Sequence, residues 1–262
     1  MKNKLIILIT SFLTLSLVKC STDEKENNSN VLNSIQKDIA DQKAYPNVKN
    51  RYDYSSKNYF DYIKSNSSIY SKTDLSTFKS QSISLDSIKQ SVKDFYYDKG
   101  YSENQIDAFF DENLQNLKQY QSYQELLSAK VKDGIIPKEE KEIIESFLDY
   151  YFETDTYEDF SKITDIFIYN VNSSNFNEFE KRGMLTIFDT FRANFNKNYD
   201  TIEDFSLTNK TNTLTAKVSK DTECGGRMLI GMIGGALTGN GIGFVVGTAA
   251  AFFENWVAGC FD

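Results

Sequence analysis

The sequence predicts an all-α protein, a helical bundle that ends in a glycine-rich helical hairpin. Apolar residues recur at intervals of three and four along the middle of the chain, which places them on one face of a helix. Ten of the 13 glycines lie between Gly225 and Gly259. Helices with a single apolar face must pack on one another. We therefore expect an all-α domain over residues 31–205, with its core at 84–205, followed by a distinct tail.

The first predicted helix is short and lies near the start of this domain. Its apolar residues follow helical spacing, and the helix must end before Pro46. Its apolar stripe consists of Val31, Leu32, Ile35 and Ile39. Residues 47–83 are rich in Ser, Tyr, Asn and Lys without a clear period, which predicts irregular structure with one short helix near 59–64.

Five further apolar stripes predict the helices of the bundle. Gly100 is placed to end the first helix, and Ser102 with Gln105 has the pattern of a capping box at the start of the second. Pro137 opens the third helix, and Asn175 precedes the fifth. Aromatic stripes can line a lipid or cofactor pocket, but they are far more often core, so no cofactor is expected. The stripes are Leu85, Ile88, Val92, Phe95 and Tyr96; Ile106, Phe109, Phe110, Leu114, Leu117 and Tyr120; Ile143, Ile144, Phe147, Leu148 and Tyr151; Phe160, Ile163, Phe167, Ile168 and Val171; and Phe176, Phe179, Met184, Ile187, Phe188, Phe191 and Phe195.

The segment 132–140 contains a glycine turn followed by an acidic residue. It resembles the second half of an EF-hand calcium loop, with Gly134 at the turn and Glu140 at the closing ligand position. The first two side-chain ligand positions would fall on Ala129 and Val131, which carry no oxygen donors. Calcium needs six to eight oxygens, so we expect a tight turn between two helices and no metal site.

The first 20 residues indicate where the protein is located. Lys2 and Lys4 precede an apolar run over 5–18, whose fourteen residues are fewer than the about 20 that cross a bilayer. The run ends at Cys20, after which the sequence turns polar. This segment resembles the lipobox leader of bacterial lipoproteins, which implies a signal peptide over 1–19 and a lipid on Cys20. The alternatives are an ordinary secretory leader and an uncleaved signal anchor.

Residues 20–30 are predicted to be a disordered tether, because they are polar and offer little apolar area to bury. The tract from Ser21 to Glu26 resembles the acidic tract that follows the lipidated cysteine in surface-exported lipoproteins of Bacteroidota. The resemblance implies a lipid anchor in the outer membrane with the domain on the cell surface. The periplasmic face of that membrane is the alternative.

The composition excludes several classes of function. The chain has no histidine, which rules out Ser-His-Asp triads and histidine zinc sites. Its formal net charge is −8, and removal of the three lysines within 1–19 makes it −11, so nucleic acid is not an expected partner. Paired carboxylates can hydrolyse glycans, but the spacing singles out no pair. We therefore expect a non-catalytic protein with no metal.

The cysteines predict one disulfide. With a lipid on Cys20, Cys224 and Cys260 remain as an even pair in an oxidising compartment. Two buried free thiols are the alternative. A polar segment over 206–223, rich in Thr and Lys, precedes these cysteines and is interpreted as a linker between the bundle and the tail.

Within the tail over 224–262, glycine recurs at every fourth position from Gly231 to Gly247, and 26 consecutive residues carry no charge. This spacing keeps small residues near one helix face and lets another backbone approach closely, as in a glycine zipper. A continuous helix would hold the two cysteines about 50 Å apart, whereas a disulfide needs their Cα atoms within about 7 Å. A hairpin that turns at Asn240 and Gly241 brings them together, so we predict a hairpin. Its helix-packing glycines are Gly231, Gly235, Gly239, Gly243 and Gly247.

Several apolar side chains of the hairpin are expected to face outward, where they must cover the bundle, contact a partner protein or enter a bilayer. The glycine-rich composition and spacing also resemble membrane-active bacteriocin peptides. We expect a cell-envelope protein, attached to the membrane by its N-terminal lipid, with a structural or interaction role. The alternative is a membrane-active protein that acts through 224–262. The outward-facing residues are Met228, Ile230, Phe244, Phe252 and Phe253.

Overall fold

The chain is all-α, as predicted, in a computed structural model that describes residues 31–45, 48, 84–97, 100–196, 223–238 and 241–260. These described residues form nine α-helices and contain no β-strand. The helices are α1 (31–40), α2 (Leu85–Tyr96), α3 (Glu103–Gln119), α4 (Tyr123–Lys132), α5 (Lys138–Glu153), α6 (Tyr157–Ser173), α7 (Glu178–Asn196), α8 (Glu223–Ala236) and α9 (Gly241–Val257).

Two helix starts match the sequence prediction. At α3, the Ser102 hydroxyl accepts from the Gln105 amide at 3.3 Å, and the Gln105 side chain accepts from the Ser102 amide at 2.9 Å. α5 begins directly after Pro137. A capping box satisfies backbone amides that have no partner within the helix, so it fixes where α3 begins.

Two other boundaries differ from the prediction. α2 ends at Tyr96, four residues before Gly100, whose φ of 81° serves the turn into α3 instead. α7 is capped by Asn177 and not by Asn175: the Asn177 side-chain oxygen accepts from two backbone amides at 2.9 and 3.0 Å. The Glu180 carboxylate accepts from the Asn177 amide at 2.9 Å in return. This reciprocal pairing, which requires a spacing of three residues, explains why the helix begins there.

α4 was not among the helices predicted from apolar stripes. Its buried face contains a lysine, Lys130, whose ammonium donates to Glu112 on α3 at 2.9 Å. Lys130 interrupts the regular spacing of apolar residues, so this spacing does not predict α4. The signal that remains is Ser122 with Glu125, since the Ser122 hydroxyl accepts from the Glu125 amide. The buried residues of α4 are Tyr123, Leu126, Leu127 and Lys130.

α5, α6 and α7 pack through a cluster of aromatic rings. The ring centroid of Phe147 lies 4.4 Å from that of Phe188 and 5.2 Å from that of Phe167. Tyr151 meets Phe191 at 4.9 Å with the ring planes at 83°. These tilted and edge-to-face geometries are the favourable ones for aromatic pairs. All five rings are fully buried, so this side of the bundle is a well-packed core.

The C-terminal hairpin occupies the centre of the bundle. α8 and α9 pack on each other, α9 also packs on α2 and α3, and α8 packs on α3, α4 and α7. Apolar side chains of α8 and α9 belong to the same buried cluster as those of the preceding helices. The segment expected as a distinct tail is therefore separate along the sequence but shares one core with the bundle.

One buried carboxylate holds α1 on α6. Asp38 accepts hydrogen bonds from Lys43 Nζ at 2.5 Å and from Tyr45 OH at 2.8 Å. Asn170 of α6 donates a third bond at 3.1 Å. Burial raises the pKa of Asp38, but these three bonds outweigh it and hold the pKa below its ordinary value. Tyr45 also stacks on Tyr169 with the ring centroids 4.0 Å apart, so the first described helix is fixed to the bundle.

Several predictions concern residues outside the described part of the chain. They are the signal peptide over 1–19, the lipid on Cys20, the tether over 20–30, and most of the irregular segment over 47–83. The linker is outside it as far as residue 222, since Glu223 already opens α8. Gly239 and Asn240, between the two arms of the hairpin, are also outside.

Candidate functional site

The tail forms a hairpin and not one continuous helix. α8 ends at Ala236, and Leu237 and Thr238 form a turn after it. The Thr238 hydroxyl donates to the Gly235 carbonyl at 2.7 Å, which satisfies an acceptor at the helix end. α9 begins at Gly241, so the break falls where the sequence predicted it. The arms contain 14 and 17 residues.

Four of the predicted helix-packing glycines lie where the two arms touch. A Cβ atom placed on Gly231 would come within 3.0 Å of the Gly247 carbonyl oxygen, and one on Gly235 would meet the Gly243 carbonyl oxygen as closely. A Cβ on Gly243 or Gly247 would meet the facing carbonyl of α8 in the same way. Real Cβ atoms essentially never approach so closely, so the spacing of the arms depends on these glycines.

The open end of the hairpin is closed by a disulfide between Cys224 and Cys260, whose Cα atoms lie 5.9 Å apart. The buried side chain of Asn255 supports the same end. Its Nδ2 donates to the Cys224 carbonyl at 2.8 Å, and its backbone carbonyl accepts from the Cys260 amide at 2.9 Å. Asn255 thus joins the first turn of α8 to the end of α9, a role that sequence reasoning missed.

The face of α3 that contacts the hairpin carries a fully buried amide. Asn113 donates from Nδ2 to the Phe109 carbonyl at 2.8 Å, but its Oδ1 has no hydrogen-bond partner. Oδ1 lies 2.9 Å from the position that a Cβ on Gly247 would take, and 3.3 Å from the corresponding position on Gly234. One oxygen therefore faces both arms, and glycine at these two positions leaves room for it.

Asn116 provides a second buried amide on the same face of α3. It is 5 % exposed, and its Nδ2 also has no partner. That nitrogen lies 3.2 Å from the position that a Cβ on Gly234 would take. A buried polar group left without a partner costs about 1–3 kcal/mol. α3 therefore contacts the hairpin partly through unsatisfied polar atoms, which sequence reasoning missed although both residues fall on the apolar face of the predicted helix.

A buried carboxyl group lies at the C-terminal end of α8. Glu140, in the first turn of α5, is 1 % exposed, and its Oε2 has no hydrogen-bond partner. Gly183 of α7 lies beside both groups, since a Cβ placed on it would make ordinary contacts with Glu140 Oε1 at 3.4 Å and with the Ala236 carbonyl oxygen at 3.6 Å. Burial raises the pKa of Glu140 well above its ordinary value, and the charge of Glu180 adds to the rise.

The loop that resembles an EF-hand ends a helix and makes a tight turn, as expected. Gly134 has a φ of 70°, and its amide donates to the Val131 carbonyl at 3.1 Å. The Ile135 amide donates to the Lys130 carbonyl at 2.9 Å, which completes a Schellman motif. Glu140 is buried in the bundle and does not face this loop. Over the residues that the structure describes, no group of three or more Cys, Asp and Glu side chains could hold a metal ion.

The apolar side chains that were expected to face outward are covered to a large extent. Ile230 and Phe244 are buried in the core that the hairpin shares with the bundle, which agrees with the alternative in which these side chains cover the bundle. Met228, Phe252 and Phe253 are half-buried and pack against the same core. Among the described helices, none has both the length and the apolar character needed to cross a bilayer.

The hairpin and the helices around it are the most distinctive part of the described fold. Their chemistry is that of packing, because the bundle keeps the uncharged, glycine-rich parts of α8 and α9 out of water. Comparison with known proteins finds no matching family model, no similar curated protein and no similar solved structure.

Proposed function

We propose that this chain is a lipid-anchored, non-catalytic protein of the cell envelope with a structural or interaction role at the outer membrane. The observation that carries the proposal is the burial of the hairpin. Because its apolar side chains are used in the core of its own domain, membrane attachment falls to another part of the chain. The lipobox-like segment that ends at Cys20 supplies one.

Electrostatics supports attachment by lipid and not by adsorption. The net charge of −8 becomes −11 once residues 1–19 are removed, and anionic headgroups repel such a chain. The absence of histidine from the whole sequence supports a non-catalytic role, because the usual general base for Ser and Cys nucleophiles is missing. The acidic tract after Cys20 favours display on the cell surface.

The lipid anchor can be tested by metabolic labelling of cells with an alkyne-tagged palmitate. We expect the wild-type chain and a Ser21→Ala control to carry the label, and Cys20→Ser to lose it. The intact mass of the purified protein should equal residues 20–262 plus a thioether-linked glycerol group and its acyl chains, and should rise by two hydrogens on reduction of the disulfide. An unlabelled wild-type chain, or one that retains residues 1–19, would contradict the anchor.

A second candidate function is membrane activity through the hairpin. The observation that favours it is the 26-residue run without charge between Arg227 and Glu254, which the surrounding helices shield from water. Dye release from phosphatidylglycerol-containing liposomes tests this candidate. The Cys20→Ser chain is the appropriate reagent, because it lacks the acyl chains that could disturb a bilayer by themselves. Absence of release at every protein-to-lipid ratio would eliminate the candidate.

A further inference from the structure

We propose that α2 and α3 form a cover that opens as one unit from the hairpin while α5, α6 and α7 stay folded. We further propose that Asn113 and Asn116 set how readily the cover opens. The proposal concerns the described fold alone and stands whether or not Cys20 carries a lipid.

Ion pairs on the outer surface hold α2 and α3 together. Lys93 of α2 lies 2.9 Å from Asp107 of α3, and Lys89 lies 3.3 Å from Asp111. The ammonium of Lys89 also lies 5.6 Å from the centre of the Phe110 ring. Contacts at two successive turns of α2 therefore link the helices along their length, so they are expected to move together.

The packing of this pair sets it apart from the aromatic side of the bundle. α2 packs on α3 and α9, and α3 packs most extensively on α9, then on α8, and least on α2. The ion pair between Glu112 and Lys130 joins the middle of α3 to the last turn of α4, away from the loop that connects the two helices. Separation of the cover from the hairpin about the loop at 120–122 breaks this ion pair but leaves the rings between α5, α6 and α7 in place.

The contact between the cover and the hairpin contains the unsatisfied amides. Asn113 Oδ1 and Asn116 Nδ2 lack partners against Gly234 and Gly247, and water would satisfy both atoms once the cover lifts. This gain offsets part of the apolar contact that is lost on opening. Helices α5–α7 also contain buried atoms without partners, such as Glu140 Oε2 and Thr186 Oγ1, but they are joined by fully buried aromatic rings, such as Phe147. Regions that differ in this way open with different free energies.

Opening would expose the uncharged surface of α9 around Gly247. Neither α9 nor the part of α8 that follows Arg227 carries a charged residue before Glu254. Cover opening is therefore the movement that membrane contact by the hairpin would require. With the cover closed, this surface of α9 contacts protein. With the cover open, it contacts the solvent or a membrane.

Native-state hydrogen exchange, measured by mass spectrometry on the purified full chain, tests the proposal. We expect the amides of α2 and α3 to exchange together, and at least about tenfold faster than those of α5–α7, because the cover opens without global unfolding. The double variant Asn113→Leu/Asn116→Leu removes the unsatisfied atoms with side chains of similar shape. It should slow exchange in α2 and α3 by at least about tenfold and leave α5–α7 unchanged.

Asn104→Leu is the matched control, since Asn104 is exposed on the same helix and undergoes the same chemical change. It should leave exchange in the cover as in the wild type. Equal protection of α2–α3 and α5–α7 in the wild-type chain would overturn the proposal, and this result needs no variant to fold. A double variant that behaves like Asn104→Leu would overturn the role of the two amides.

Discussion

Gly231 and Gly247 illustrate how a hydrogen atom in place of a side chain sets the distance between two helices. Each glycine in a helix interior costs about 1 kcal/mol relative to alanine, so the arms gain their stability from contact with each other and with the bundle. At Gly231 a Cβ would also approach the Cβ of Ala251 within 3.0 Å, so the site is closed on more than one side. The glycine there is required by packing and not by backbone conformation.

Gly231→Ala should therefore destabilise the fold. Overpacking costs about 1–3 kcal/mol, and because the obstruction is backbone that cannot rotate away, we expect the upper part of that range. The better helix propensity of alanine returns about 1 kcal/mol, which leaves a net loss of roughly 2 kcal/mol in the free energy of unfolding. Urea denaturation followed by circular dichroism measures this difference.

Gly226→Ala is the control for this substitution, because it changes the same residue type within the same helix. A Cβ on Gly226 would lie 3.7 Å from the Gln121 carbonyl oxygen, which is an ordinary contact. This variant should be as stable as the wild type or slightly more stable. Equal midpoints for the two alanine variants would show that the arms do not depend on close approach at Gly231.

Glu140 should make the stability of the fold depend on pH. Its pKa is raised in the folded state, chiefly by burial, above the ordinary value of 4.5. The folded state then binds the proton more tightly than the unfolded state. The contribution of Glu140 to the free energy of unfolding is most favourable below pH 4.5 and declines as the pH rises toward the pKa of Glu140 in the folded state. Each pH unit within that window costs up to about 1.4 kcal/mol.

Glu140→Gln keeps the shape of the side chain and removes its charge. At pH 7–8 the variant should unfold at a higher urea concentration than the wild type, and the difference should shrink as the pH falls toward 4.5. Glu139→Gln, which removes a carboxylate from the same turn of α5, is the matched control. Parallel stability curves for wild type and Glu140→Gln across pH 4–8 would show that the buried carboxyl is not linked to folding.

A disulfide joins the two arms of the hairpin at its base, and packing holds them together along their length. The contributions of the disulfide and of packing to stability can be measured separately. The disulfide joins residues 36 positions apart, for which loop-closure entropy predicts a stabilisation of about 4 kcal/mol. The Cys224→Ala/Cys260→Ala variant should lose about that much and still fold, because the glycine contacts and the Asn255 bond to the Cys224 carbonyl remain. Thermal unfolding with and without a reductant measures the loss.

A reductant should lower the melting temperature of the wild-type chain and leave that of the double alanine variant unchanged. The second result is the control for unspecific effects of the reductant. If the wild-type melting temperature did not respond to reduction of a disulfide verified by mass, the covalent closure would have no role in stability. The hairpin would then depend on packing alone.

The elements that sequence reasoning predicted are those whose signals are local. Each of these signals acts over a few residues or through one bond. They are the capping box at Ser102, the spacing of the glycines, and the single pair of cysteines near the C-terminus. α4 was missed because Lys130 replaces an apolar residue on its buried face, and only the ion pair to Glu112 explains that replacement. Asn113 was missed for a related reason, since its role depends on glycines more than 100 positions away in the chain.

At the scale of the whole molecule, the C-terminal hairpin is part of the core of the domain and not an appended tail. Phe179 was expected in the core and is 47 % exposed, whereas Ile230 and Phe244, which were expected to face away from the other arm of the hairpin, are buried in the bundle. The burial of Ile230 and Phe244 follows from the position of α8 and α9 in the bundle. No periodicity within one helix could indicate that position, because a helix that is apolar on all sides suits a protein core and a bilayer equally.

A chain truncated after residue 222 should therefore fail to form a native domain. Removal of α8 and α9 uncovers the faces of α3, α4 and α7 that pack on them, including Leu126, which lies next to Gly234. We expect helical far-ultraviolet circular dichroism to remain while the near-ultraviolet signal and the cooperative unfolding transition are lost, together with increased binding of the dye ANS. The Cys224→Ala/Cys260→Ala chain, which keeps the hairpin but not the disulfide, is the control and should unfold cooperatively. If the truncated chain unfolded as cooperatively as this control, the helices of 84–196 would form a self-sufficient core and the hairpin would be an addition to it.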